Sequence, residues 1–202
     1  MSWAVFLKYN LKILFRNNFL AGMAYGLVVP FIFNLSNSLA ISEVYLSPLG
    51  IILLTQLPEV DREDDIQELV AVRKKGSYYN FLSRFLLGLI LTITMLTWFM
   101  GYLTVKRIGY NPVEMFFGTM ITALFLGTIG ITVSNIFKNY VAGYIVSFTY
   151  YLFEMMTAGK YTGEFYLFSL TQGELTPKYY LLGISILLVG FNLFYLSFRR
   201  VD

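Results

Sequence analysis

An all-α membrane fold, with six transmembrane helices in one domain over residues 1–202, is what this sequence predicts, and three observations predict it. The first is apolarity: 57% of the residues are hydrophobic and 13% are charged, with a mean hydropathy of +0.64, whereas a soluble domain carries about 25% charge. The second is segmentation, because apolar runs of about 20 residues, long enough to cross a hydrocarbon core as helix, alternate with short polar breaks. The third is a single long polar run, Pro58 to Asn80. It holds six of the twelve acidic residues (Glu59, Asp61, Glu63, Asp64, Asp65, Glu68) and then turns basic at Arg73, Lys74 and Lys75.

Residues Ser2 to Asn17 place Trp3, Phe6, Leu7, Asn10, Ile13 and Leu14 near one face at helical spacing, with Lys8, Lys12 and Arg16 on another. Three cations so close together are costly inside lipid, so this stretch reads as an N-terminal amphipathic interfacial helix. No small-residue cleavage pattern accompanies it, and no cleavable signal peptide is expected. Span one, about Phe19 to Leu35, contains Gly22 and Gly26, a GxxxG spacing suited to close helix packing or to a dimer contact. The break Ser36 to Ser38 allows only a tight reversal. Span two, about Leu39 to Leu57, has Glu43 near its outer end, Pro48 as a kink point and Pro58 as its stop.

Span three, Phe81 to Tyr102, carries no charge between Arg84 and Lys106. After a loop from Thr104 to Pro112, span four runs from about Val113 to Phe137. Its Thr119, Ala123, Gly127, Gly130 and Ser134 keep one face small, which suits packing against a neighbouring helix of the same chain. A short turn at Lys138 and Asn139 leads to span five, Tyr140 to about Ala158. The following stretch has an apolar island, Phe165 to Leu170, too short to cross, and reads as a re-entrant or surface-lying hairpin before span six, about Tyr179 to Phe198.

Six spans place both termini and the polar run on one side. That side holds eleven of the lysines and arginines; the other has only Lys106, Arg107, Lys160 and Lys178. The asymmetry predicts cytoplasmic termini and a multi-pass protein of the cytoplasmic membrane. It also accounts for the net charge of +3, so no nucleic acid partner is implied. The absence of cysteine and histidine excludes disulfides and thiolate chemistry and removes the commonest general base and metal ligand. The acidic cluster near Asp64 is spread around a helix instead of converging, so no metal site is expected.

Within the polar run, Asp61 can cap a helix with an acidic first turn and a basic last turn, the order that the helix dipole favours. Ile66, Leu69, Val70 and Arg73 then form a narrow apolar stripe suited to a groove on another protein or to the membrane surface. Together with the basic helix before span one, the short reversal after it, the text from Arg62 and Glu63 to Glu68 and Leu69, and the broken segment before span six, this resembles the membrane subunits of the ABC-2 type exporter family. The chain departs from many members in having Lys75, Gly76 and Ser77 in place of a proline before span three.

The resemblance implies the membrane subunit of an ATP-driven exporter. No GxxxxGK[ST] is present, so ATP and Mg2+ would sit on separate cytoplasmic ATPase subunits, with no cofactor bound and no catalysis by this chain. A second permease subunit, identical or related, would complete the membrane part among the surrounding lipid. Glu63, Ile66, Leu69, Val70 and Arg73 would form a cytoplasmic coupling helix against the ATPase. The substrate path, for an amphipathic or hydrophobic peptide, drug or lipid-like molecule, would involve Glu154, Glu43, Phe31, Tyr144, Phe148 and Tyr151. Glu154 can equally support the external loop, and the aromatics can equally form core or interfacial belts. A non-transporting accessory or immunity protein and a secondary transporter are the alternatives.

Overall fold

The computed structural model describes Gly22 and residues 24–28, 41–60, 77–105 and 111–198. The interfacial helix expected before Asn17, Phe31 and the whole expected coupling set from Glu63 to Arg73 lie outside the described residues. Among those described, every regular element is helical. A π-helical turn, Ile41–Leu46, leads into α1 (Pro48–Leu54) and the one-turn α2 (Leu57–Val60). Four long helices follow: α3 (Ser77–Val105), α4 (Pro112–Phe137), α5 (Tyr140–Thr157) and α6 (Thr176–Phe198). Two 3-10 turns, Gly163–Phe165 and Ser169–Gln172, lie in the connection between α5 and α6.

Among the described residues, three helices are long and apolar enough to cross a membrane: Phe81–Val105, Pro112–Phe137 and Thr176–Ser197. The distribution of side chains agrees with a lipid surround. Ile90, Trp98, Phe117, Leu187 and Phe194 are exposed, whereas Glu43, Arg84, Asn135, Lys178 and Asn192 are buried. Water would reward the opposite arrangement, so the exposed faces suit hydrocarbon and the polar groups find partners inside. The protein is a helical membrane protein.

Helix α4 is the central element. Of its apolar window 61% is buried, against 33% and 17% for α3 and α6, and it packs on α1, α3, α5 and α6. Its ends are set by local chemistry. Asn111 accepts a hydrogen bond from the Val113 N–H at 3.2 Å and Pro112 occupies the first turn, where its missing N–H costs nothing. At the other end Lys138 adopts a left-handed conformation (φ 55°), and Asn139 immediately caps α5 through the Val141 N–H at 2.9 Å. The reversal therefore needs two residues, which makes α4 and α5 antiparallel neighbours.

The second apolar segment is not one helix. Pro48, the expected kink point, stands at the first position of α1, where the π-turn gives way to α-helix. Pro58 does not end the segment as expected. Helix α1 stops earlier, at Leu54, and Pro58 sits in the first turn of α2, a position that tolerates a residue without an N–H. Around these breaks, hydroxyls from neighbouring elements donate to backbone carbonyls of the segment. Tyr25 donates to the Tyr45 carbonyl at 2.6 Å, Tyr151 to that of Val44 at 2.7 Å, Tyr144 to that of Ile52 at 3.1 Å, and Ser134 to that of Thr55 at 3.1 Å.

The small face of α4 receives this broken segment, as expected of packing within the chain. A Cβ at Gly50 would run into the Ala123 carbonyl, and one at Gly130 would run into Thr55. Gly183, by contrast, faces open space. Polar side chains add a second tie: the Asn135 amide donates to Asn192 at 2.7 Å, and the Asn192 amide donates to Thr132 at 2.8 Å, joining α4 to α6. Gly50→Val is expected to lower stability by about 1–3 kcal/mol or more through overpacking against backbone, while Gly183→Ala leaves it within about 1 kcal/mol. Thermal unfolding of the purified protein in detergent checks both.

Candidate functional site

The densest polar arrangement lies where the second segment, α4, α6 and the α5–α6 connection meet. Lys178 is in the first turn of α6, the end of a helix that disfavours a cation, and it is almost fully buried. A carboxylate must therefore accompany it. Glu43, fully buried in the π-turn, does so, with its Oε1 2.5 Å from the Lys178 Nζ. The ammonium also donates to the Thr122 hydroxyl of α4 at 2.6 Å and to the Leu167 carbonyl. All three of its hydrogens are thereby used. Thr122 passes its own hydrogen to the Gly118 carbonyl at 3.0 Å.

The Glu43 carboxylate is similarly occupied. Besides Lys178 it accepts the backbone N–H groups of Leu170 at 3.2 Å and Thr171 at 3.1 Å. A second carboxylate works on the same connection from α5. Glu154 Oε2 accepts from the Thr162 hydroxyl at 3.1 Å and from the Leu167 N–H at 3.4 Å. Its Oε1 has no hydrogen-bond partner among the described residues. Leu167 is thus held by charged side chains through both its N–H and its carbonyl.

Aromatic rings fill the space beneath. Phe168 meets Tyr166 and Tyr151 edge to face at centroid distances of 5.9 and 5.6 Å, and Tyr151 continues through Phe148 to Tyr144. The Tyr150 hydroxyl donates to the Phe165 carbonyl at 3.3 Å. Burial raises the Tyr166 phenol above its ordinary value; a hydrogen bond with Thr171 opposes this, and the charges of Glu43 and Glu154 add to it. Tyr166 is therefore neutral across the physiological range.

Of the residues singled out in the sequence, Glu43, Glu154, Tyr144, Phe148 and Tyr151 converge on this cluster and on the connection above it. Glu43 already holds a cation, that of Lys178, so receiving another would require displacing it. Gly22 and Gly26 are placed elsewhere: side chains added there would meet Leu53 and Met95 of the same chain. Lys178 and Thr122 are not among the residues that the sequence singles out, because the apolar run of span six begins at Tyr179 and leaves the lysine among the loop cations. The pair Thr176–Pro177 signals a helix start one turn earlier. That start puts a lysine at the unfavourable end of an apolar helix, and a lone glutamate at the head of span two is the obvious partner.

Among the described residues no group of three or more acidic side chains could hold a metal ion. The class that fold and site define is a helical membrane protein with a charged, buried clasp. No protein-family model, curated protein or solved structure matches the chain.

The hydrogen bonds of Glu154 make its substitutions distinguishable. Glu154→Gln keeps a carbonyl oxygen for Leu167 and Thr162 and is expected to change stability by less than about 1 kcal/mol. Glu154→Leu leaves the buried Leu167 N–H unpaired and is expected to cost about 1–3 kcal/mol. Thermal unfolding in detergent compares the two.

Proposed function

We propose that the chain is the membrane subunit of an ATP-driven exporter of the ABC-2 type, moving an amphipathic or hydrophobic substrate with ATP hydrolysed by separate cytoplasmic subunits. The observation that carries this reading is the course of the second apolar segment. At one end it runs into the acidic-to-basic stretch beginning at Asp61. At the other it carries Glu43, which grips α6 and the α5–α6 connection. Between these ends it is broken at Ser47 and at Thr55–Gln56. A segment with two breaks, whose carbonyls are held by exchangeable hydroxyl contacts, can change its bend without losing a regular helix.

In this reading the six spans are residues 19–35, the broken segment, and α3 to α6, with both termini and the polar run in the cytoplasm. The run forms the coupling helix: Ile66, Leu69 and Val70 enter a groove on the ATPase, with Glu63 and Arg73 at the rim. A second permease subunit completes the membrane part, and the path passes the aromatic face of Tyr144, Phe148 and Tyr151. The 158–175 connection is the external hairpin.

The test is co-purification with candidate P-loop ATPases expressed alongside the chain, followed by transport in vesicles. The native chain is expected to retain an ATPase. Ile66→Asp with Leu69→Asp is expected to weaken that association by about tenfold or more, as removal of buried interface anchors does, and to abolish transport. Retention of both in the double variant rejects the coupling role, and failure of the native chain to hold any ATPase rejects the reading as a whole.

A further inference from the structure

We infer that residues 159–173 form a hinged lid on the bundle, held shut by the Glu43–Lys178 ion pair. The inference goes beyond the exporter reading and does not depend on it. Its first support is the way the segment holds itself together. The backbone bonds Gly163 to Gly159, Phe165 to Thr162, Gly173 to Leu170 and Glu174 to Ser169 all lie within the segment or its immediate flank, at 3.0–3.1 Å. None of these four reaches a long helix, so they persist if the segment swings as a unit; one further backbone bond, from the Lys160 N–H to the Thr157 carbonyl at 3.1 Å, ties the segment to the end of α5 at the hinge itself.

The second support is at its ends. Ala158 and Gly159 have φ of 48° and 78°, and Gly173 has φ of 78°. These left-handed residues bracket the segment, and at the two glycines the backbone turns without a side-chain penalty. They are natural pivots, lying where α5 has ended and before α6 begins.

The third support is the nature of the attachments. Most of the polar ones run from side chains of the bundle to backbone groups of the segment: Glu43 to Leu170 and Thr171, Lys178 and Thr122 to Leu167, Glu154 to Leu167, and Tyr150 to Phe165; the Thr162 hydroxyl adds a side-chain bond to Glu154. Glu43 and Lys178 hold each other in the geometry that serves all but those of Glu154 and Tyr150. A buried ion pair contributes little net stability compared with apolar packing, yet loss of one partner strands the other charge. Such a pair suits a two-position clasp better than a permanent weld. Beneath it lie Tyr151, Phe125 and Leu181, an apolar surface that opening would uncover.

The chain has no cysteine, which makes a single-cysteine reporter direct. Ser169 is fully buried in the lid, and its hydroxyl has no hydrogen-bond partner among the described residues, so Ser169→Cys sacrifices nothing. Ser185→Cys, buried in the middle of α6, reports on the bundle itself. In the full-length protein in detergent, the labelling rate with a water-soluble maleimide is measured for each reporter, alone and combined with Lys178→Met or with Glu43→Gln. The expected result is that either substitution speeds labelling of the Ser169→Cys protein by about tenfold or more, while the Ser185→Cys protein stays slow and far-ultraviolet circular dichroism is unchanged. An unchanged rate in the Ser169→Cys protein overturns the inference. A parallel rise in the Ser185→Cys protein also overturns it, because the segment would then open only with the helices.

Discussion

A lysine and a glutamate buried together in an apolar helical protein set the terms for everything around them. Neither Lys178 nor Glu43 could be left alone there, since an isolated charge in a low-dielectric interior costs several kcal/mol even after relaxation. Their contact at 2.5 Å answers the charge, but not the remaining donors and acceptors. Those are answered by Thr122 of α4 and by backbone groups of Leu167, Leu170 and Thr171. The requirement to satisfy one ion pair therefore fixes where the second segment, α4, α6 and the connection before α6 meet.

The same demand for satisfied polar groups explains the middle of the molecule. A straight second helix would have needed no outside donors. The broken one receives hydroxyls from Tyr25, Tyr144, Tyr151 and Ser134, and these come from three different parts of the chain. Close approach is possible because α4 offers small residues where the segment crosses it, with Gly50 seated against the Ala123 carbonyl. Backbone contact and hydroxyl donation add to the apolar side-chain clusters that Leu49, Ile51 and Leu54 join, in keeping with the importance of close packing between helices in lipid. The bundle is consequently tight at α4 and open to the surroundings along α3 and α6.

Much of this was legible from the residues, for reasons that differ by element. Helices α3 to α6 announce themselves through long apolar runs closed by Asn111–Pro112 and Lys138–Asn139, and their observed ends lie within a few residues of those expected. The small face of α4 was legible because helical spacing collects Ala123, Gly127, Gly130 and Ser134 on one side. The division of the second segment was only half legible. Pro48 marks one break, but the end of α1 at Leu54, beside contacts from Ser134 of α4 and Tyr144 of α5, carries no local signal. The role of Glu154 in holding Leu167 was among the alternatives that the residues left open. The partner of Glu43 was hidden because it lies far along the chain, and periodicity says nothing about which charged residues meet across a bundle.

The central claim is that Glu43 and Lys178 act as one unit on which the packing depends. A double-mutant cycle on unfolding free energy, with Glu43→Gln, Lys178→Met and the two combined, measures it most directly. The account predicts that the combined variant is more stable than the sum of the single losses implies, by about 2 kcal/mol or more. Additivity within about 0.5 kcal/mol, the behaviour of independent sites, would contradict it.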